Sequence, residues 1–227
     1  MSQASPNITL ADNIYYYLRS KIGHLEIEPG ERLSEAGLAR QFNCSRVPVR
    51  EAVQRLVSDG ALEVIPQRGS FVTPISMTQL EHCRFIRATI EGRVVLDDFD
   101  AGLLEPIVPV LGSIIKRQEN LIAVGDYNEV FSLDSDFHLL FYTISHKEYA
   151  YDVTGMNDIH YCRARLLTLR GEGKDNMVHQ HHMIVDAIEN KDRDALDKAL
   201  NTHFQNVNNV IETKKFVTRK GQDYFTR

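Results

Sequence analysis

Pro29-Gly30-Glu31-Arg32-Leu33-Ser34-Glu35-Ala36-Gly37-Leu38-Ala39-Arg40-Gln41-Phe42-Asn43-Cys44-Ser45-Arg46-Val47-Pro48-Val49-Arg50-Glu51-Ala52-Val53-Gln54-Arg55-Leu56, continued by Arg68-Gly69-Ser70-Phe71-Val72-Thr73, decides the fold of the N-terminal part. Ser34 suits a helix N-cap, and Leu38, Ala39 and Phe42 follow at helical spacing, so the pattern predicts a short helix from Ser34 to Phe42. Asn43-Cys44 is a turn. A second helix starts near Ser45, tolerates Pro48 in its first turn, and buries Val49, Ala52, Val53 and Leu56. Arg46, Arg50 and Gln54 then repeat every four residues on one outward face, suited to a major groove, where Arg matches guanine edges and Gln matches adenine. Arg55 lies to the side, placed for phosphate.

Gly60 ends that helix, and two β-prone runs, Leu62 to Ile65 and Phe71 to Thr73, flank Pro66-Gln67-Arg68-Gly69-Ser70. This is a hairpin whose tip carries Arg68 beside a glycine able to approach a phosphate backbone closely. A three-helix domain whose arginines only solvate its surface is the competing reading. The ordered set of helix, turn, helix and basic hairpin favours a winged helix-turn-helix. Leu10, Ile14, Leu18 and Ile22 mark a further helix that braces it.

The segment resembles the DNA-binding domain of the GntR family of bacterial transcription regulators. Pro-Gly, Leu-Ser-Glu, Leu-Ala, Ser-Arg-x-Pro-Val-Arg-Glu-Ala and the Arg-Gly of the wing all match. It departs at Ser70, where the family often has a second Gly. The resemblance implies double-stranded operator DNA as partner, with Arg32, Ser45, Arg46, Arg50, Arg68 and Gly69 making contacts.

With 43% apolar residues in 227, the chain has ample material for one or two cores. No stretch approaches a membrane span and the polar Ser2 to Asn7 is no signal peptide, so a cytoplasmic protein is expected. Cys44, Cys83 and Cys162 have no metal-knuckle or redox spacing. The net charge of −5 runs against the basic balance of many nucleic-acid binders. Residues 1 to 75 nevertheless carry eight basic against eight acidic side chains, with five against three between Arg40 and Arg68. Any positive field is therefore local to the recognition helix and wing, and binding should depend strongly on salt and on a dimer that doubles the phosphate contacts.

After the linker Pro74 to Met77, helical stripes run at about 79 to 97, 101 to 120, 126 to 145, 148 to 170, 176 to 190 and 193 to 212. The expected fold is mainly α: a winged helix-turn-helix of three helices and a β-hairpin over residues 1–75, joined to an all-α bundle of six or seven helices over 76–227. The second part resembles the effector domain of the FadR subfamily of the same regulators, which implies effector binding and dimerisation there.

Its chemistry lies in polar residues on apolar stripes. Asp134 and His138 are four apart on a face shared with Phe137, Phe141 and Ile144. His181 lies on the stripe of Ile184, Val185 and Ile188, and His203 on that of Leu196, Leu200, Phe204 and Val207. A lone histidine on such a face is usually a hydrogen-bonded core residue. Here three accompany an inward carboxylate, and Asp192 is the midpoint between His181 and His203, so an antiparallel hairpin brings those two rings to one height. The set suits a divalent metal of the Zn²⁺ or Ni²⁺ type, and the metal-binding members of the subfamily imply the same ligands. His179 and His182 point off the stripe and are expected at the surface.

A small organic acid, either a sugar acid or a hydroxy acid, bound at the metal through its carboxylate fits a regulator. Arg87 and Arg163 are the expected cationic partners of that effector, although either could instead bridge helices by pairing with Glu91 or Asp97. Arg165 and Arg170 are expected at the surface, and 214–227 as a solvated or domain-packing tail. The reading that follows is a ligand-responsive repressor acting as a homodimer on a palindromic operator. A metal-dependent hydrolase or lyase joined to a nucleic-acid module is the alternative, but no general-base motif accompanies the histidines.

Overall fold

A computed structural model of the chain describes residues 8–154, 156, 158–171, 173–213 and 216–226. Its elements, in order, are α1 (Leu10–Gly23), β1 (Arg32–Leu33), α2 (Glu35–Gln41), α3 (Arg46–Ser58), β2 (Leu62–Ile65), β3 (Gly69–Val72), β4 (Ile75–Ser76), α4 (Met77–Asp100), α5 (Val108–Val124), α6 (Tyr127–Thr143), α7 (Glu148–Val153), α8 (Ile159–Arg170), α9 (Gly173–Glu189), α10 (Arg193–Thr213) and β5 (Phe225–Thr226). A single 3₁₀ turn, Glu105–Ile107, leads into α5. None of the described helices is long and apolar enough to cross a membrane.

The first compact unit runs through Ile75 and takes in Val217–Thr226; the second is Ser76–Phe216. Thr9 and Asp12 close a capping box at the start of α1, whose Ile14, Leu18 and Ile22 are buried. Ser34 caps α2 through the Gly37 amide. The expected hairpin forms with Leu62 opposite Val72 and Ile65 opposite Gly69. Sequence reasoning missed β1, which adds to the other edge of β3 with Arg32 opposite Phe71. At two residues it is too short to show any alternation.

The C-terminal segment also differs from expectation, because it builds part of the first unit instead of ending the second domain. Glu28, 7% exposed, accepts hydrogen bonds from the Tyr224 hydroxyl at 2.9 Å and from the Arg219 amide and Nε at 3.0 Å. The Ile75 amide donates to the Tyr224 carbonyl at 2.7 Å. Gly30 holds φ +79°, and a Cβ there would collide with the Gln222 side chain. Burial alone would raise the Glu28 carboxyl, but the Arg219 and Tyr224 bonds outweigh it and hold it below its ordinary value.

In the second unit, seven described helices surround a core that includes Val95, Leu111, Phe137, Phe141, Ile184 and Leu200. The stripe expected as one helix from 148 to 170 is two, α7 and α8, because Asp158 caps a new start by accepting from the His160 and Tyr161 amides. His160 then accepts from the Ser76 amide at 3.1 Å and faces Arg163 Nη2 at 3.0 Å, both at Nδ1.

Two predictions follow from these contacts. A chain ending at Phe216 loses every partner of Glu28 named above, and the amide of Ile75 should exchange at least about tenfold faster by hydrogen-exchange mass spectrometry. Burial, with help from Arg163, pushes His160 down from 6.5 to about 4. The unfolded chain therefore binds a proton that the folded chain refuses, so stability should fall as pH drops from about 6.5 towards 4, by up to about 1.4 kcal/mol per pH unit from this group. His160→Gln should flatten that slope in urea titrations at stepped pH.

Candidate metal centre and nucleic-acid interface

Asp134 and His138 project from successive turns of α6, His181 from α9 and His203 from α10. All four are buried, and one candidate ligand atom from each lies within 4.8 Å of the others. The hairpin of α9 and α10 turns at Lys191, held at φ 54°, and its two rings stand 4.9 Å apart. Phe137 stacks on His181 at 4.0 Å, fixing the plane of that ring.

Each imidazole is oriented by an acceptor on its outer nitrogen. Nδ1 of His138 meets Glu91 Oε1 at 2.5 Å, Nδ1 of His181 meets Gln118 Oε1 at 3.0 Å, and Nδ1 of His203 meets Gln180 Oε1 at 3.3 Å. An oxygen acceptor there requires an N–H, which leaves each neutral ring with a bare Nε2. All three Nε2 atoms turn inward. His181 Nε2 lies 3.2 Å and His138 Nε2 3.7 Å from Asp134 Oδ1, and His203 Nε2 is 3.1 Å from His138 Nε2. His181 Nε2 and Asp134 Oδ1 are buried without any hydrogen-bond partner. Unprotonated Nε2 atoms and a carboxylate oxygen converging in a dry interior, two of them with no partner and the other two Nε2 atoms met only by Arg87, are the donor set a divalent cation requires, so the residues fit a metal.

The electrostatics agree. Burial opposes the Asp134 charge, but the Arg165 guanidinium holds its carboxyl well below the usual range. Burial, reinforced by His181, His138 and Arg87, keeps His203 well below its ordinary value; burial likewise lowers His181, offset in part by Asp134. Neutral rings and an ionised carboxylate are the states that bind metal.

Beside this group is a small, partly open cavity, about 20 Å³, lined among others by Arg87, Arg165, Thr168, Met177 and Asn206. That is room for about one water molecule. Arg87 is tied to Glu91 at 2.9 Å and to the Tyr161 hydroxyl at 2.6 Å, and its Nη2 reaches His138 Nε2 at 2.6 Å and His203 Nε2 at 3.3 Å. Arg165 is bound to Asp134 through both Nε, at 3.1 Å, and Nη2.

Of the two arginines expected at the effector, the structure brings only Arg87 to the cavity. Arg163 is fully buried, but its guanidinium turns to His160 and the Ile159 carbonyl. Arg165, expected at the surface, takes its place. Residues two apart on a helix point ~200° from each other, and α8 is buried almost all round, so no polar face separates the two. Arg170 is exposed beside Asn128, and His179 and His182 are exposed, as their stripe positions indicated.

On the first unit, Ser45 occupies the N-cap of α3 but makes no side-chain cap bond, so its hydroxyl remains available. Ser45, Arg46, Arg50 and Gln54 are exposed, and Arg50 is only 3.6 Å from Glu35. In the wing, Arg68 lies over the Phe71 ring at 5.7 Å. Gly69 holds φ +108°, and a Cβ there would stand 3.0 Å from Arg32 Nε, so Arg32 and Gly69 share one edge. Ser70, the departure from the resembled pattern, is buried between Leu33 and Val64 and leaves that edge unaltered.

Arg55 corrects the sequence reading. It bonds Asp12 at 2.6 Å and stacks on the Tyr15 ring at 3.9 Å, bracing α3 on α1 instead of reaching for phosphate.

Comparison with known proteins agrees with both halves. Residues 10–72 match the family model described as bacterial regulatory proteins, gntR family, and residues 102–206 match the FCD domain. The HTH-type transcriptional repressor RspR of Escherichia coli K12 is 30% identical over 226 residues, covering 99% of this chain and 97% of that protein. The gluconate operon transcriptional repressor of Bacillus subtilis 168 is 26% identical, covering 99% and 93%. Among solved structures, Escherichia coli McbR/YncC gives a TM-score of 0.70 at 21% identity, covering 91% of this chain and 98% of that one. A putative GntR regulator from Rhodococcus gives 0.73 at 19% identity, covering 90% and 99%.

Arg165→Met strands the Asp134 carboxylate in a dry interior, so in metal-free protein it should cost about 3 kcal/mol by chemical denaturation. On DNA, Arg68→Ala should lower the slope of log affinity against log salt by about one. Arg55→Ala should leave that slope unchanged and lower the melting temperature instead.

Proposed function

We infer the function from one premise: the chain belongs to the gntR family of bacterial regulatory proteins, DNA-binding transcriptional regulators, and carries the FCD effector domain. Its named relatives are regulators and repressors, not enzymes. On that premise the protein is a homodimeric, cytoplasmic repressor that leaves a palindromic operator when a small organic acid binds beside a divalent metal, Zn²⁺ or Ni²⁺. Residues 76–227 supply the effector and dimerisation part, apart from the segment that joins the first unit.

The observation that carries the metal reading is the arrangement of three imidazoles, each with Nδ1 on an oxygen acceptor and an unprotonated Nε2 within reach of the same point as the orphaned Asp134 Oδ1. Asp134, His138, His181 and His203 would hold the ion, which supplies a Lewis-acidic anchor for a carboxylate. Charge balance supports an acidic effector. In direct contact with the four ligand residues, the buried charges are Arg87 and Arg165 against Glu91 and Asp134, which cancel; Arg163 and Asp98 are buried away from them, one at His160 and the other at Lys147. A dication added to that neutral set leaves a buried excess of positive charge, which an incoming anion offsets. Arg87 and Arg165 are the groups that would meet it, with Asn206 and Thr168 available for hydroxyls. The name of the Bacillus relative ties that protein to a gluconate operon, which favours sugar and hydroxy acids as first candidates. A cavity of about 20 Å³ is too small for them, so binding requires it to widen, and that widening would supply the differential interaction a regulator needs. A coupling of about 1–3 kcal/mol would change operator occupancy several-fold to about a hundredfold.

Elemental analysis of purified protein should find close to one metal per chain in the parent and far less in His203→Ala; near-zero content in both removes the metal. Mobility shift on DNA upstream of the gene should show binding that Arg46→Ala with Arg50→Ala abolishes and that one of a panel of sugar and hydroxy acids relieves. Undiminished binding by the double variant would sink the assigned face.

A further inference from the structure

On α3 the buried residues Val49, Ala52, Val53 and Leu56 define one arc of the helix. At ~100° per residue, the direction opposite the middle of that arc is taken not by an arginine but by Val47, which lies about 170° away from it. Gln54 stands within ~20° of Val47, the exposed Glu51 within ~40° and Arg50 within ~60°, with Arg46 at the margin. Val47 is 73% exposed, a higher value than that of any other large apolar side chain described in this unit.

Isolated exposed apolar residues are ordinary on protein surfaces. Val47 differs in position. It sits in the first turn of the helix whose N-terminal residues approach base edges, between Arg46 and Arg50, at the crest of the face presented to the groove. No packing role holds a branched apolar group there. Its rigidity suits contact, because a β-branched side chain keeps one strongly preferred χ1 in a helix and Pro48 restricts the backbone before it. The isopropyl group therefore loses little freedom when another surface closes over it.

We propose that Val47 is a specificity-determining residue that packs against the 5-methyl group of a thymine in each operator half-site. In the major groove the thymine methyl is the apolar feature among polar base edges, and it is the feature that an apolar side chain can select. Arg46 and Arg50 hydrogen-bond neighbouring bases or phosphates, and Val47 adds a contact that is insensitive to salt. The inference rests on the proposed reading of this face as the one that meets DNA.

The test uses full-length protein and a duplex operator selected by it from a random-sequence library. Each thymine is replaced singly by deoxyuridine, which removes one methyl group and leaves base pairing intact, and affinity is measured for the parent and for Val47→Ala, an exposed substitution that a helix tolerates. In the parent, one thymine per half-site should lose about three- to fivefold on demethylation, the value of about one buried methyl-sized group. Val47→Ala, which removes the contact from both half-sites, should bind the unmodified operator more weakly by about the square of that factor and should no longer distinguish thymine from deoxyuridine at that position. A parent indifferent to demethylation at every thymine, or a Val47→Ala protein that keeps the full discrimination, overturns the proposal while leaving operator binding intact. Failure to select any operator would overturn the DNA reading itself, and this inference with it.

Discussion

Three imidazole lone pairs and a carboxylate oxygen converge in a space with almost no room for water, and most of the second unit is arranged to bear the cost of that convergence. Buried acceptors facing each other repel and lose hydration, and Arg87 Nη2, which meets two of the Nε2 atoms, offsets that only in part. The arrangement persists because five helices each fix one part of it. α6 supplies Asp134 and His138, α9 and α10 supply His181 and His203, α4 brings Glu91 to the back of His138, and α5 brings Gln118 to the back of His181. Displacing any one of these would free a ring to rotate. The conformation is thus set by the bundle before any ion arrives, and the ion would meet ligands already in their binding tautomer.

Two arginines on buried carboxylates complete that arrangement. Arg87 pairs with Glu91 and also faces two of the Nε2 atoms, while Arg165 satisfies the Asp134 oxygen that turns away from the rings. Buried pairs of this kind rarely add much stability over apolar packing. Their effect is instead to keep the carboxylates ionised; Arg87 and His138 hold Glu91 down to about 2 against the upward push of burial. A centre that is charge-neutral without metal stays narrow, and it becomes hospitable to an anion once a dication is present. In the proposed reading the same pairs would serve fold and response.

Much of this was legible in the sequence wherever helical spacing separates inside from outside. The i, i+4 relation of Asp134 and His138 and the symmetry of His181 and His203 about Asp192 identified the four inward groups, and the helix, turn, helix and hairpin of the first unit were equally readable. Legibility failed where that separation fails. α8 is buried on nearly every side, so its two arginines carried no signal as to which faced the cavity. Arg55 was misplaced because its partners, Asp12 and Tyr15, lie on another helix far away in sequence. The C-terminal segment was missed for the same reason: the carboxylate that it serves, Glu28, lies at the opposite end of the chain.

With Arg55 engaged on α1 and Arg50 near Glu35, the cations open to DNA are fewer than the sequence count suggests. Phosphate neutralisation sets most of the sequence-independent affinity, so a unit with a balanced charge holds DNA weakly by itself. It gains affinity by adding base contacts or by acting in duplicate. The proposed recognition helix would provide the first, with an uncapped Ser45 hydroxyl at its N-terminus and Arg46, Val47, Arg50 and Gln54 exposed along its outward side. Two copies on a palindrome would provide the second, and their combined affinity exists only while both half-sites are engaged. A small change in the spacing of the two copies then forfeits far more binding energy than it disturbs directly. A weakly charged DNA-binding unit is accordingly well suited to control by a buried centre in another unit, whereas a strongly basic one would stay on DNA whatever that centre did.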